Sequence, residues 1–381
     1  MVNWNRIRKD FPITKRFTYL DHASAAPMPR PVYSETLRYY NELSGFADFS
    51  WNRWISRREA VRRKVAHFIH AEPEEIAFTN STSHGMNLIA ELIADKGRVL
   101  TNTMEFPATT VPWIHRNAKM KFIKPVNGVI SFTPHLHPPP ERAGGGREGG
   151  ERIKTILTSF VQFQNGFRQD LRAIGRIKGS RFFVVNATQG FGYLPIDVKR
   201  DQIDFLVTNS YKWLMAGYGG GILYLAKKWI QRFKPISAGW RSVPYPERFD
   251  NRRARLKQDA SRYEYGCPPF PHIFAIGAAI DYLSEIGPSN IEARIRSLTD
   301  FLIDQLKKVG FTILSPLRPS SRSGIVVFDV KNAQKLTNQL LTRQIYVSAR
   351  GGGIRVAPHM YNTERDILHF IKVLREEIRR I

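Results

Sequence analysis

Short apolar runs alternate with helix-like segments between about residues 76 and 226. The strand-like runs lie at residues 76–79, 98–103, 155–160, 182–187, 205–208 and 221–225. Between them lie helical patterns, such as residues 83–95, in which Met86, Leu88, Ile89, Leu92 and Ile93 are apolar. Near-continuous apolar strands interleaved with helices predict a mostly parallel sheet that is covered on both faces.

The pattern changes after about residue 240. Long helices are predicted at residues 273–286 and 291–309, short strands at 311–314, 324–330 and 345–348, and a final helix from about 363 to the end. This order predicts a large α/β domain over residues 16–245 and a small α+β domain built from residues 1–15 and 246–381. The Pro- and Gly-rich stretch at about 135–151 (HLHPPPERAGGGREGGE) is expected to be an exposed loop.

Composition places the chain among ordinary globular proteins. It has 381 residues, of which 42% are hydrophobic and 12% aromatic, a length sufficient for two domains. The first residues (MVNWNRIRKDF) are too polar for a signal peptide, and no apolar run approaches the roughly 18 residues of a membrane span. Cys267 is the only cysteine, which excludes an intrachain disulfide and a cysteine-based zinc site, and no metal site is expected. A cytoplasmic enzyme is the default expectation.

The net charge of +25 is unusual, and Lys and Arg cluster at residues 227–234, 248–257 and 375–380. One interpretation is a surface that binds nucleic acid or another polyanion. The other is a basic, solvated exterior, which we favour because most charge runs are exposed faces and no nucleic-acid-binding motif accompanies this one.

A lysine that follows a buried strand is the first candidate for chemistry. Residues 204–213 (DFLVTNSYKW) form an apolar strand that ends in a polar step containing Asn209 and then reaches Lys212. The carboxyl end of a parallel strand is where α/β sheets bind ligands. Burial there lowers the pKa of a lysine and makes it a nucleophile toward an aldehyde. Composition alone would leave Lys212 an ordinary surface lysine.

Two neighbouring segments change that interpretation. Residues 182–190 (FFVVNATQG) form another buried strand that leads into Asn186 and Gln189. Residues 78–87 (FTNSTSHGMN) read as a strand, a hydroxyl-rich turn and a helix start, where Thr82, Ser83 and adjacent N–H groups form a phosphate cradle. The alternative is that Ser83 only caps the helix.

With these motifs in order, the sequence resembles the class V aminotransferase family, which includes cysteine desulfurases, kynureninases and isopenicillin N epimerase-like proteins. The resemblance runs from residues 19–29 (YLDHASAAPMP) to residues 353–366 (GIRVAPHMYNTERD). It implies the type I fold of pyridoxal 5′-phosphate (PLP)-dependent transferases, with a mostly parallel seven-stranded-type sheet in the large domain. It also implies PLP as cofactor, an amino-acid substrate and a homodimer with cofactor sites near the subunit interface.

The resemblance also implies roles for individual residues. Lys212 would hold PLP as a Schiff base, the internal aldimine, and later move the Cα proton of the substrate. Arg355 would grip the substrate α-carboxylate, a task suited to the two-pronged guanidinium. The remaining cofactor-binding residues would be Phe106 (in MEFP, stacked on the pyridine ring), Thr82, Ser83 and Tyr211 (phosphate), Gln189 (near the phenolic oxygen), Asn186, Asn209 and Cys267.

The segment 262–268 (RYEYGCP) resembles one that reaches into the neighbouring subunit's cofactor site in family dimers. Many family members have threonine where this chain has Cys267. A thiol is a weak hydrogen-bond donor, so a phosphate contact there falls to the backbone N–H. We favour a packed small side chain over a reactive role for Cys267.

Three departures from the family pattern bear on function. Asn186 stands in VNATQ where the family has an aspartate that keeps the pyridine nitrogen protonated, so the electron sink should be weaker. No cysteine follows Cys267, whereas desulfurases need a thiolate on a later loop, and the corresponding stretch here is SARGGG at 348–353. Gln162 and Phe163 replace the Ser-Asn type step that contacts the cofactor in desulfurases.

These features favour a PLP-dependent lyase or epimerase acting on an amino acid, by C–S or C–C cleavage or by racemisation, over a persulfide-forming desulfurase. A class V aminotransferase proper remains an alternative. A second alternative is a catalytically degenerate PLP-fold protein whose basic surface binds a polyanion.

Overall fold

The computed structural model describes residues 2–136 and 152–380. In chain order its helices are α1 (Trp4–Lys9), α2 (Arg30–Phe46), α3 (Trp51–Phe68), α4 (Thr82–Ile93), α5 (Pro107–His115), α6 (Thr133–Leu136), α7 (Leu171–Ile177), α8 (Lys227–Arg232), α9 (Phe270–Ile286), α10 (Pro288–Lys308), α11 (Ala333–Thr342) and α12 (Glu364–Ile378). Its strands are β1 (Thr18–Tyr19), β2 (Ile76–Thr79), β3 (Arg98–Asn102), β4 (Met120–Ile123), β5 (Ile153–Ser159), β6 (Phe182–Asn186), β7 (Phe205–Asn209), β8 (Gly221–Leu225), β9 (Val326–Asp329), β10 (Ile345–Tyr346), β11 (Ser348–Arg350) and β12 (Gly353–Val356). The expected loop at about 135–151 lies outside the described residues from residue 137 onward.

A seven-stranded sheet with the order β2-β8-β7-β6-β5-β3-β4 forms the centre of the larger part of the fold. The pairs β3–β4, β3–β5, β5–β6 and β6–β7 are parallel, and β8 runs antiparallel to both of its neighbours. Alternate residues of one strand enter different cores, as Leu206 joins the cluster on one face and Val207 the cluster on the other. The prediction of a mostly parallel sheet that is covered on both faces is therefore confirmed.

The C-terminal third contributes smaller sheets and a separate core. Strands β11, β12 and β9 form an antiparallel sheet, while β10 pairs in parallel with β1 near the N-terminus. A third apolar cluster joins these strands to α10, α11 and α12. Helix α9 packs instead against α2 and α3. The division into a large and a small domain at residues 16–245 stays a prediction.

The structure corrects several predicted elements. The central strands lie where the apolar runs predicted them, but β4 was missed because two of its four residues are exposed at the sheet edge. The strand predicted at 311–314 is wrong: only a single bridge, Ile313 to Phe328, forms there. The strand predicted at 345–348 divides into β10 and β11, which join different sheets on either side of Val347.

No helix within residues 2–136 and 152–380 is long and apolar enough to cross a bilayer.

Candidate active site

A cleft of about 540 Å³ opens where β5, β6 and β7 end and α4 begins. Eight of the predicted site residues line it: Thr82, Ser83, Phe106, Asn186, Gln189, Asn209, Tyr211 and Lys212. The cleft is also lined by residues that were not predicted as site residues, among them Ser81, Ala108, Ser159, Val161 and Thr188. Phe163 also lines the cleft and packs edge-on against Phe106, with 5.1 Å between ring centroids. Arg355 and Cys267 do not line it.

Lys212 is held in a buried turn just after β7. Ser210 at the start of the turn donates its hydroxyl to the Gly217 and Gly220 carbonyls at 2.5 and 2.9 Å, which ties the turn to the sheet. The Lys212 side chain is only 9% exposed, and its Nζ lies 5.6 Å from the centroid of the Phe106 ring. Burial and the positive charges of Arg355 and Arg350 lower its pKa from 10.5 to about 7. A large fraction of the Lys212 amine is therefore neutral near pH 7, the form that attacks a carbonyl.

The start of α4 forms one wall of the cleft. Ser81 is the N-cap, because its hydroxyl accepts a hydrogen bond from the His84 N–H at 3.1 Å. The alternative that Ser83 caps this helix is therefore wrong. Thr82 and Ser83 stand in the first turn, and the Thr82 hydroxyl pairs with that of Thr188 at 2.8 Å. The unpaired N–H groups of a first turn and its positive dipole favour an anion.

Asn186, at the end of β6, has a fixed amide orientation. Its Oδ1 accepts a hydrogen bond from the backbone N–H of Thr188 at 3.0 Å, and its Nδ2 donates to Thr109 Oγ1 at 2.8 Å. A backbone amide can only donate, so the oxygen must face Thr188. One hydrogen of the Asn186 NH₂ group then has no acceptor among the residues that the structure describes.

Gln189 is fixed in a comparable way by a residue that the sequence analysis missed. The indole Nε1 of Trp213 donates to Gln189 Oε1 at 2.7 Å, and Gln189 Nε2 donates to the Ala23 carbonyl at 2.9 Å. Trp213 is fully buried and stacks on Tyr193 with 4.1 Å between centroids. The only feature of the sequence that could have pointed to Trp213 is its position directly after Lys212.

A buried carboxylate supports the wall that carries Phe106. Glu105 accepts hydrogen bonds from the backbone N–H of Ser159 at 2.7 Å, from its hydroxyl at 2.5 Å, and from Gln162 Nε2 at 2.8 Å. The Gln162 side chain therefore contacts Glu105 and does not line the cleft, whereas the next residue, Phe163, does. The sequence analysis did not single out Glu105, although it stands beside Phe106 in MEFP.

Arg355, on β12, lies beside the cleft and not in its lining. Its Nη2 donates to Ser24 Oγ at 2.6 Å and to Asp21 Oδ1 at 3.3 Å, and its Nη1 donates to the Phe163 carbonyl at 3.2 Å. Its Nε is buried and has no hydrogen-bond partner in the described part of the chain. Through Phe163 the guanidinium contacts the cleft wall.

Cys267 is exposed and lies in a different depression, together with His84, Tyr265 and Pro268. Within one chain, this thiol is not brought into the Lys212 cleft. The prediction that its segment serves a neighbouring subunit stays a prediction.

Comparison with known proteins identifies the family. The model of the family "Aminotransferase class-V" matches residues 18–375. The chain is 28% identical over 372 residues to the uncharacterized aminotransferase YcbU of Bacillus subtilis, covering 96% of this chain and 95% of that protein. The chain therefore belongs to the class V aminotransferase family of PLP-dependent enzymes.

Solved structures share its fold. A cysteine desulfurase from Thermococcus onnurineus superposes with a TM-score of 0.88 at 23% identity, covering 100% of this chain and 99% of that one. The cystine C–S lyase C-DES, in complex with its reaction product cysteine persulfide, superposes with a TM-score of 0.82 at 19% identity, covering 96% of this chain and 98% of that one. The type I fold is thereby confirmed.

The cofactor is PLP, and the residues of the cleft fit it. The near-neutral Lys212 amine suits an aldehyde, and the start of α4 suits a phosphate. Asn209 Oδ1 is buried in the lining without a hydrogen-bond partner among the described residues, as expected of a polar atom that faces a ligand.

Proposed function

We propose that this member of the class V aminotransferase family is a lyase that cleaves the bond between Cβ and sulfur in a sulfur-substituted amino acid. It would do so without forming a persulfide on the enzyme. The observation that carries the proposal is a Lys212 amine poised near neutrality in a cleft that no cysteine lines.

The hairpin that joins β11 and β12 argues against a thiol-bearing mobile loop. A Cβ added at Gly351 would overlap the Gln164 carbonyl, and one added at Gly353 would overlap the Phe328 carbonyl. The turn is therefore tied closely to the rest of the fold. Cys267, the only cysteine of the chain, belongs to another depression. The desulfurase relative shares the architecture, but within one chain no cysteine lies in the Lys212 cleft to act as the nucleophile of a persulfide mechanism.

The chain's own residues would divide the work as follows. The neutral Lys212 amine accepts the Cα proton of the substrate and returns it to the departing sulfur. Arg355 holds the α-carboxylate and fixes which bond lies in reach of Lys212. When bound, PLP supplies the electron sink that acidifies the Cα–H bond.

Atoms and electrons balance without an added oxidant or reductant. The sulfur leaves with the pair of electrons from its bond to Cβ, takes up the proton that Lys212 returns, and departs as a thiol. After water is taken up, the rest of the amino acid becomes pyruvate and ammonium. The pair left behind by the Cα proton forms the Cα–Cβ double bond while the pair of the Cβ–S bond leaves with the sulfur. Elimination therefore depends less on a strong electron sink than transamination does.

Because Asn186 replaces the family's aspartate, the different dependence of elimination and transamination on the electron sink matters for this chain. Its NH₂ group can donate a hydrogen bond to an unprotonated pyridine nitrogen but carries no charge to stabilise a protonated one. Full transamination would be affected most by a weak sink. Racemisation and C–C cleavage fit the same electronics, and the similarity to the C–S lyase C-DES inclines the proposal toward sulfur.

The test is product analysis with matched variants. The purified holoenzyme is given L-cystine, L-cysteine and S-methyl-L-cysteine, and pyruvate, alanine and released thiol are measured. We expect pyruvate from at least one of them, loss of activity in Lys212→Ala, and full activity in Cys267→Ala. Alanine as the product, with sulfur bound to Cys267 in the intact-mass spectrum, would instead establish a desulfurase. If none of the amino acids tested changes the visible absorbance of the bound cofactor, the proposal fails.

The homodimer and the polyanion-binding surface stay predictions. The surface that best suits a polyanion is segment 238–258, because exposed Trp240, Tyr245 and Phe249 stand there among five arginines. Sedimentation velocity of the protein alone measures whether it is a dimer, and the same measurement with a nucleic-acid oligomer at two salt concentrations measures polyanion binding.

A further inference from the structure

An arginine at the tip of the β11–β12 hairpin lies on the same face as Arg355. The two strands pair with Ser348 opposite Arg355 and Arg350 opposite Gly353. Residues directly opposite in an antiparallel pair share a face, and so do residues two apart on one strand. Ser348, Arg350 and Arg355 therefore project from one face. The contacts agree, because Ser348 Oγ and Arg355 Nη2 both reach Asp21 Oδ1, at 3.0 and 3.3 Å.

The two arginines have different surroundings. Arg355 is 2% exposed and is paired with Asp21, whereas Arg350 is exposed. Within residues 2–136 and 152–380, Arg350 makes no ion pair with a carboxylate. Two residues along a strand correspond to about 7 Å, so the backbone of Arg350 lies about that far along β11 from Ser348, the residue opposite Arg355.

Arg350 is held in this place by the turn that follows it. Gly351 and Gly352 have φ values of +65° and +87°, a backbone conformation that side chains disfavour, and the turn rests on the Gln164 carbonyl. The position is close enough to the cleft for the charge of Arg350 to help lower the pKa of both Lys212 and Arg355.

We propose that Arg350 binds a second anionic group of the substrate, carried on the sulfur substituent that leaves. The substrate class is then a sulfur-substituted amino acid whose leaving group ends in a carboxylate or a comparable anion. This inference rests on the proposed function, since it assigns the substituent of that same reaction. An apolar or cationic substituent would leave Arg350 without a partner, so the residue determines specificity.

The test compares two amino acids that differ by one charge. S-carboxymethyl-L-cysteine and S-carbamoylmethyl-L-cysteine have nearly the same shape, but only the first carries a distal carboxylate. Each is titrated into the holoenzyme, and dissociation constants are taken from the change in visible absorbance of the bound cofactor. We expect the wild type to bind the carboxylate roughly tenfold more tightly, as for a charge-assisted hydrogen bond at an exposed site.

The variants separate this role from general electrostatics. In Arg350→Met the ratio of the two dissociation constants should fall to about one, whereas Arg350→Lys should keep part of the preference. Arg365→Met is the matched control, because it removes the same charge from an exposed position on α12 and should keep the full preference. Thermal unfolding checks that each variant is folded.

Two results would overturn the inference: equal affinity for both compounds in the wild type, or a preference that survives in Arg350→Met. Either would leave the proposed function standing, since the cofactor absorbance would still respond to both amino acids. If no amino acid changes the absorbance of the wild type, the proposed function itself has failed and the inference with it.

Discussion

Replacing Lys212 by methionine should change how the stability of the cofactor-free protein depends on pH. Lys212 has its pKa lowered from 10.5 to about 7 in the folded chain, by burial first and then by the charges of Arg355 and Arg350. Between about pH 7 and 10.5 the unfolded chain binds this proton and the folded chain does not. The stability contribution of Lys212 therefore rises with pH across that window and is lowest below pH 7, where both states are protonated.

The magnitude follows from the size of the shift. A difference of 3.5 units (10.5 − 7) corresponds to about 5 kcal/mol over the whole window, at about 1.4 kcal/mol per unit. Between pH 7 and pH 9 the same relation gives a gain of about 2 kcal/mol. Methionine has a similar length and no charge, so the Lys212→Met variant lacks this term and keeps the packing against Phe106.

The assay is urea unfolding of the cofactor-free wild type, Lys212→Met and Lys331→Met at pH 7 and pH 9. Lys331 is exposed, so its replacement reproduces the loss of charge without the loss of a buried amine. We expect the free energy of unfolding to increase, from pH 7 to pH 9, by about 2 kcal/mol more in the wild type and in Lys331→Met than in Lys212→Met. An equal change in all three proteins would show that Lys212 is not buried as a neutral amine.

Two further substitutions test the fixed amides. Asn186→Asp should keep the pyridine nitrogen protonated and add transaminase side activity, measured by amino-group transfer from L-alanine to a second 2-keto acid. No gain would show that Asn186 is not the cause of a weak electron sink. Trp213→Phe removes the 2.7 Å hydrogen bond to Gln189 and should shift the pH midpoint of the cofactor absorbance, at a cost of about 1 kcal/mol in stability. Trp54→Phe, which loses a comparable bond to Glu42, should leave that midpoint unchanged.

The central sheet and most of the cleft could be predicted because their signals are local. Strands that are buried on both faces read as continuous apolar runs, and in parallel strands their carboxyl ends meet at one edge. Asn186 and Asn209 stand at the ends of two such runs, Lys212 comes three residues after β7, and all of them line the cleft. Edge strand β4 has a weaker signal, because its four residues are few and Lys121 interrupts their apolar run.

The support of the site could not be predicted because it joins distant parts of the chain. Arg355 pairs with Asp21, 334 residues earlier, and Gln162 pairs with Glu105, 57 residues earlier. No spacing rule connects such positions. The run at 311–314 shows the converse, since an apolar pattern there predicts a strand, yet only Ile313 finds a bridging partner. Pairing across the fold, and not propensity, decides that element.

The two fixed amides bear on which reactions the site favours. Thr188 N–H holds the oxygen of Asn186, and Trp213 Nε1–H holds the oxygen of Gln189. The NH₂ groups therefore act as the donors, to Thr109 and to the Ala23 carbonyl, each with a second hydrogen for a further acceptor. Turning either amide would set two donors against each other, at the Thr188 N–H or at the Trp213 Nε1–H. For Gln189 it would also leave the Ala23 carbonyl facing an oxygen. The lining at these two positions therefore prefers hydrogen-bond acceptors and resists adjustment. If Asn186 faces the pyridine nitrogen as predicted, this preference would stabilise the unprotonated nitrogen. It would then favour reactions in which electrons leave with a departing group over reactions that store them on the cofactor.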